Sequence, residues 1–299
     1  MAILVAAGFD DDEWAAWWPV LQAALPGEHL LRDRETVALQ EIDIALVANP
    51  PPGSLCDLPN LRLIQSLWAG VDRLLGDATV PADVPLARMV DPAMNATMAQ
   101  TALWAVASLQ RDFFDYAVQQ RAGVWKPHPL RRADEITVAV LGMGQMGQAA
   151  AHLLRQHGYR VIGWRRSAGP LEEVLVQAGI VINLLPLTPD TRGVFNAAIF
   201  SEMPRGASLV NLARGAHVVE ADLLAALDGG HLRRAVLDVF ATEPLPATHP
   251  FWSHPAITVL PHIAAPTDPR SAAAIAARNI AALRRGEPLQ HRVDRARGY

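Results

Sequence analysis

"ITVAVLGMGQMGQAAAHLLRQHGYRVIGWRRSAG", residues 136–169, holds two short apolar runs with a glycine-rich turn behind the first. The runs "ITVAVLG" and "YRVIGW" read as strands, and the stretch behind the turn starts a helix. Gly142, Gly144 and Gly147 therefore form GxGxxG between a strand and a helix, the setting in which that spacing carries information. The first glycine permits a tight turn and the second lets backbone approach a pyrophosphate. The third lets helix and strand pack closely, while the amides around Gln145 and Met146 meet the anion. The expectation is a dinucleotide site, with a ligand-free glycine turn as the plainer alternative.

At the tip of the second strand, where such a site usually carries Asp or Glu for the adenosine ribose, the chain has Arg165, Arg166 and Ser167. Arginines there can receive a 2'-phosphate instead. A charge-assisted hydrogen bond contributes roughly 1.5–3 kcal/mol, and each ~1.4 kcal/mol is tenfold in affinity. One or two such bonds shift a preference about 10- to 1000-fold. The reading is NADPH over NADH, with NADH still usable; the alternative is a solvated pair of surface arginines.

Outward from this core, "IVINLLP", "SLVNLAR", "AVLDVF" and "ITVLPHIA" add four strand candidates, mostly separated by helical stretches, which predicts a doubly wound parallel sheet. Before it, "ILVAA", "IALVA" and "LRLIQSL" alternate with polar and Pro-rich connections in a first α/β rhythm. A long helix is expected from Met98 through "MAQTALWAVASLQRDFFDYAVQQ", followed by "RAGVWKPHPLRRADE", which suits an exposed arm or subunit contact, or simply a loop. Further helices are expected in "VVEADLLAALDGG" and in "SAAAIAARNIAALRRGEPL", the latter ending near Gly286.

With 51% apolar and 19% charged residues in 299, the chain buries a substantial core and is not mostly disordered. A net charge of −4 with no long basic block argues against nucleic acid or an anionic membrane surface as partner. Cys56 is the one cysteine, so no intrachain disulfide forms, and a reducing cytoplasmic compartment fits. No uncharged apolar stretch approaches the ~18 residues of a spanning helix, and the N-terminal "MAILVAAGFDDDEW" has acids where a secretion signal has none.

Three strand-end groups of complementary type stand out: Arg214 in "NLARGAH", Glu243 in "LDVFATEPLP" and His262 in "VLPHIAAPT". Together with "LGMGQMG", "VINLLPLTPDT", "LVNLARGAHVVEADLLAALDGG", "PHIAA" and the terminal "VDRARGY", they make essentially the whole chain resemble the D-isomer-specific 2-hydroxyacid dehydrogenase family, in its branch acting on glyoxylate and hydroxypyruvate. The resemblance implies two Rossmann-like α/β domains with the active cleft between them. Residues 1–97 plus 280–299 would form the substrate domain. Residues 98–279 would form the cofactor domain, with a homodimerisation arm near 118–135.

It further implies that Arg214, Glu243 and His262 are the catalytic set, and the chemistry agrees. Reduction of a small 2-oxo acid needs a proton for the carbonyl oxygen, which His262 supplies; Glu243 orients the ring, and Arg214 forks onto carboxylate and carbonyl. By the same resemblance Leu184, Leu185 and Pro186 line the ribose side. Asp238 faces the nicotinamide carboxamide, or alternatively caps a turn. The loop "SLWAGVD" holds the substrate carboxylate through the Ala69 and Gly70 amides. No metal is implied.

The chain also departs from the pattern. Trp68 stands where glycine is expected, and Ala48 and Asn49 replace Trp-His. Either Trp68 partly replaces the lost pocket wall and changes which 2-oxo acid side chain fits, or it packs elsewhere; the altered Ala48, Asn49 and Trp68 leave a dehydrogenase for a bulkier 2-oxo acid as an alternative. A nucleotide-sensing, corepressor-like binding protein is the non-enzymatic alternative, opposed by the retained triad.

Overall fold

The computed structural model describes residues 1–298. The chain falls into two units, residues 1–93 with 267–298, and residues 94–266. In the first, β1 (Ala2–Ala7) leads into α1 (Asp11–Ala24), followed by β2 (His29–Leu31), β3 (Ile42–Ala48), β4 (Leu63–Ser66), α2 (Asp72–Gly76) and β5 (Leu86–Ala87). The acids after β1 start a helix: Asp10 accepts from the Glu13 amide at 2.8 Å, and Glu13 accepts from the Asp10 amide at 3.1 Å, a reciprocal cap. The strands are all parallel, in the order β2-β1-β3-β4-β5. The order reverses at β1, where a Cβ on Gly8 would come within 2.9 Å of the Asn49 carbonyl oxygen. Asn49 itself has φ 46°, a left-handed conformation that asparagine tolerates better than most residues. That requirement gives the departure at Asn49 a local reason.

The boundary at 93/94 falls within the first turn of α3 (Pro92–Gln110), and the second unit continues with α4 (Phe113–Arg121). It continues through β6 (Thr137–Leu141), α5 (Gln145–Gln156), β7 (Arg160–Trp164), α6 (Glu172–Leu175), β8 (Ile180–Asn183), α7 (Ala197–Glu202), β9 (Ala207–Asn211), α8 (Glu220–Asp228), β10 (Leu232–Leu237) and β11 (Ile257–Val259). The strands again pair in parallel, ordered β11-β10-β9-β8-β6-β7, so the reversal falls at β6, just ahead of the glycine turn. Alternate residues feed opposite faces. Ala139, Leu141, Val181, Leu209 and Leu237 enter one apolar core, and Val138, Val140, Ile182, Val210 and Val236 enter the other. A sheet buried on both faces explains why these strands are nearly continuous apolar runs. No helix among the described residues is long and apolar enough to cross a membrane.

Two expectations need correcting. The helix expected from Met98 begins earlier, at Pro92, and is broken before α4. Asp112 turns left-handed at φ 57°, and its carboxylate reaches Arg233 Nη2 at 2.6 Å and His128 Nδ1 at 2.9 Å. Those tertiary partners override local helix periodicity. The second domain crossing lies at 266/267 rather than 279/280, because α9 (Pro269–Arg285) belongs whole to the first unit. There Asn279 donates to Gln65 Oε1 at 2.7 Å, and Arg284 pairs with Glu28 at 2.9 Å and with the buried Asp43. The first crossing lies at 93/94 rather than 97/98. As expected, α9 stops at Gly286, whose φ of 70° suits a glycine cap.

Candidate active site

Parallel pairing brings the loops after β6, β7 and β8 to one end of the sheet. Leu141 pairs with Trp164 and with Asn183, so Gly142, Arg165 and Leu184 leave neighbouring strands at the same level. The Gly142 amide donates to the Trp164 carbonyl at 2.9 Å, and the Leu184 amide to the Leu141 carbonyl at 2.8 Å. A Cβ on Gly142 would lie 2.4 Å from the Leu184 carbonyl oxygen, and one on Gly147 would lie 2.0 Å from that of Gly142. A Cβ on Gly144 would meet nothing within 4 Å. Packing therefore demands the first and third glycines, while the second leaves open space ahead of α5. The first-turn amides of α5, those of Gln145, Met146 and Gly147, have no partner within the helix. An anion held there also meets the positive end of the helix dipole, so the turn fits a dinucleotide pyrophosphate.

Arg165, Arg166 and Ser167 follow β7 and are exposed. Arg166 Nη1 pairs with Asp190 Oδ2 at 2.7 Å, both side chains more than half exposed. Leu185 is buried, and Leu184 and Pro186 are partly so.

At the same end, β9, β10 and β11 deliver the acid–base groups. His262 Nδ1 lies 2.8 Å from Glu243 Oε2, while Glu243 Oε1 accepts from the Phe240 amide at 2.9 Å. With Nδ1 engaged, His262 presents Nε2 outward, and the side chain is half exposed. Burial pushes the Glu243 carboxyl up, but the bonds from His262 and Phe240 and the charges of His262 and Arg214 outweigh it, and the group stays below its ordinary range. Arg214 follows β9, its Nη1 donating to the Ala213 carbonyl at 2.7 Å.

His262 sits at φ 56°, a conformation rarely taken by non-glycine residues. Asp238 holds it there: its two carboxylate oxygens accept from the Ile263 amide at 2.7 Å and the Ala264 amide at 2.9 Å. Of the two roles expected for Asp238, turn-holding is the one this geometry displays. Its burial raises the carboxyl above the ordinary range, against the pull of those two amides. Gly215, directly after Arg214, lies so close to Phe240 that a Cβ would come within 1.9 Å of its carbonyl carbon.

Sequence reasoning missed Asn183, Asn211 and His217, all fully buried. The available signal was an asparagine ending each of two apolar strands. In the first unit, the Trp68 ring lies 5.5 Å from Trp17 and 6.1 Å from Phe9, within an aromatic cluster. The Ala69 and Gly70 amides donate to no group among the described residues. Asp112, Asp115 and His128 lie close enough together to share a cation, but Arg233 already bridges the two acids at 2.6 Å, and Arg234 pairs with Asp115 at 2.6 Å.

Comparison with known proteins matches residues 103–264 to a family model, the NAD binding domain of D-isomer specific 2-hydroxyacid dehydrogenases. A glyoxylate/hydroxypyruvate reductase A of Serratia proteamaculans is 40% identical, the alignment covering 97% of each chain. A D-isomer specific 2-hydroxyacid dehydrogenase of Xanthobacter autotrophicus Py2, solved in complex with NADPH and MES, is 40% identical with a TM-score of 0.92, covering 100% of this chain and 99% of that one. An NADPH-dependent glyoxylate/hydroxypyruvate reductase of Sinorhizobium meliloti, solved with NADP and sulfate, is 34% identical with a TM-score of 0.93 and the same coverage.

Proposed function

The chain belongs to the D-isomer specific 2-hydroxyacid dehydrogenase family, and from that premise we propose that it reduces glyoxylate and hydroxypyruvate, with NADPH preferred over NADH. It is an NAD(P)-dependent 2-hydroxyacid dehydrogenase. The observation that carries the finer reading is the His262–Glu243 pair at 2.8 Å, set beside Arg214.

A bound dinucleotide supplies hydride to the carbonyl carbon. The oxygen that gains the electron pair takes its proton from His262 Nε2, while Glu243 keeps the ring oriented through Nδ1. Arg214 fixes and polarises the 2-oxo acid as a forked donor, with Trp68, Ala69 and Gly70 assigned to the substrate and the last two donating amides to its carboxylate. Gly142, Gly144, Gln145, Met146 and Gly147 hold the pyrophosphate, residues 184–186 the ribose side, Asp238 the nicotinamide carboxamide, and Arg165, Arg166 and Ser167 the 2'-phosphate. The second protomer of a homodimer docks on the arm at 118–135, where Trp125 is 99% exposed and Leu130 69%. A reducing cytoplasm suits the single cysteine.

The test is a substrate panel with both dinucleotides, followed by nicotinamide absorbance. Turnover of glyoxylate and hydroxypyruvate with a clear NADPH advantage is expected. Equal or better turnover with NADH removes the role given to the arginines, and silence across all 2-oxo acids removes the reductase reading.

A further inference from the structure

Three buried polar groups absent from the scheme above, Asn183, Asn211 and His217, form one connected set. Asn183 ends β8 and Asn211 ends β9, paired in register across the sheet. Asn183 Nδ2 donates to Asn211 Oδ1 at 2.9 Å and lies 2.8 Å from His217 Nδ1, while Asn183 Oδ1 accepts from the Leu185 amide at 3.2 Å. Asn211 Nδ2 donates to the Arg214 carbonyl at 3.0 Å, and its Oδ1 accepts from the Ala213 amide at 3.2 Å. His217 Nε2 lies 3.3 Å from the Pro186 carbonyl oxygen.

The backbone sets the direction of the bonds named here. The Leu185 amide requires an oxygen from Asn183, which turns the Asn183 amino group toward Asn211 and His217. The Arg214 carbonyl requires an amino group from Asn211, which turns its oxygen toward Asn183. His217 Nδ1 must then accept, so Nε2 carries the hydrogen and donates to Pro186. The ring is a strut of one tautomer, in a buried site where reversing any of these bonds leaves a buried group unpaired.

The strut spans two working segments. Pro186 belongs to the loop assigned to the dinucleotide. His217 ends the short 3-10 turn Gly215–His217 that Arg214 caps. Parallel contacts reinforce the link, with the Phe195 amide on the His217 carbonyl and the Gly193 amide on that of Ala216, both at 2.9 Å. Gly215 presses on Phe240, whose amide holds Glu243.

We propose that His217, through Asn183 and Asn211, is a positioning residue that couples occupancy of the dinucleotide loop at 184–186 to the placement of Arg214. The proposal rests on the functional reading for the two loops. Its experiment uses oxalate, an unreactive analogue of the 2-oxo acids, so that it does not depend on turnover.

Oxalate affinity is measured with and without NADPH in the wild type, His217→Leu and His217→Gln. In the wild type NADPH tightens oxalate roughly tenfold, within the usual range of coupling between sites. In His217→Leu the factor falls to about one, while NADPH affinity alone changes less than about threefold. His217→Gln, whose amide can accept from Asn183 and donate to Pro186, restores part of it. In the wild type, NADPH also slows hydrogen exchange at the Ala213 amide, a readout that stands even if the leucine variant does not fold. Wild-type coupling retained in His217→Leu, no coupling in the wild type, or Ala213 exchange indifferent to NADPH each overturns the proposal. Failure of the reductase reading appears separately, as absent turnover with coupling intact.

Discussion

Two ends of the same sheet edge use polar groups in opposite ways. Past β9, β10 and β11, the groups assigned to chemistry are anchored from below: Glu243 by the Phe240 amide, the His262 turn by Asp238, and Arg214 by Asn211. Past β7, Arg165 and Arg166 stand in solvent, and the ion pair of Arg166 is with an acid that is also exposed. The contrast follows from the task. Hydride and proton transfer need groups held within a fraction of an ångström, whereas attraction of a phosphate tolerates mobile charge. Disturbing the first region should act on kcat, and disturbing the second on dinucleotide KM and its salt dependence.

The largest effect tests the anchored end. His262→Asn is expected to lower kcat about 10²- to 10⁴-fold, the usual contribution of a positioned acid, with NADPH binding unchanged by fluorescence titration. A loss smaller than about tenfold would place the proton donor elsewhere. Next, replacing Arg165 and Arg166 together by alanine should reduce the NADPH-over-NADH ratio of kcat/KM by about 10- to 1000-fold while sparing kcat with NADH. A matching fall in kcat with NADH breaks the division between the two regions. Gly215→Ala is third. Its methyl group has no room beside Phe240, so a loss of about 1–3 kcal/mol in chemical denaturation is expected, with kcat reduced in whatever remains folded.

The smallest effect is in acid. Glu243 is held below its ordinary value of 4.5, so its stabilisation is complete above that pH and is lost as pH falls through its lower folded value. Asp238 runs the other way. Its folded pKa lies above the ordinary 3.8, so the native state binds the proton more tightly, and stability declines as pH rises between the two values. Denaturation of Glu243→Gln across the acid range should therefore show the wild-type advantage growing with pH. A constant difference would show that ionisation of Glu243 does not contribute to stability across the acid range.

Much of the molecule was legible along the chain. The six strands of the second unit were each marked by a short apolar run, because the central strands β6, β8, β9 and β10 are buried on both faces and even the edge strands β7 and β11 are mostly withdrawn from solvent. The glycine turn was legible because its backbone conformation and close approaches exclude other side chains. The break at Asp112 was not, since the pull comes from Arg233, far along the chain. Nor was the aromatic packing of Trp68 on Phe9 and Trp17, which depends on α1 folding back over its sheet.

What the sequence determined by itself is whatever a residue imposes on its neighbours: strand and helix periods, the glycine turn, the caps of α1 and α9, and the presence of Arg214, Glu243 and His262 at strand ends. Tertiary structure alone decided which of these side chains meet. Asn183 and Asn211 become partners only because β8 and β9 pair in parallel with those two residues opposite each other, and His217 joins them only when the following turn folds back. Register is settled when the apolar faces of two strands distant in sequence are matched on one sheet, so neither strand read alone names its partner residue.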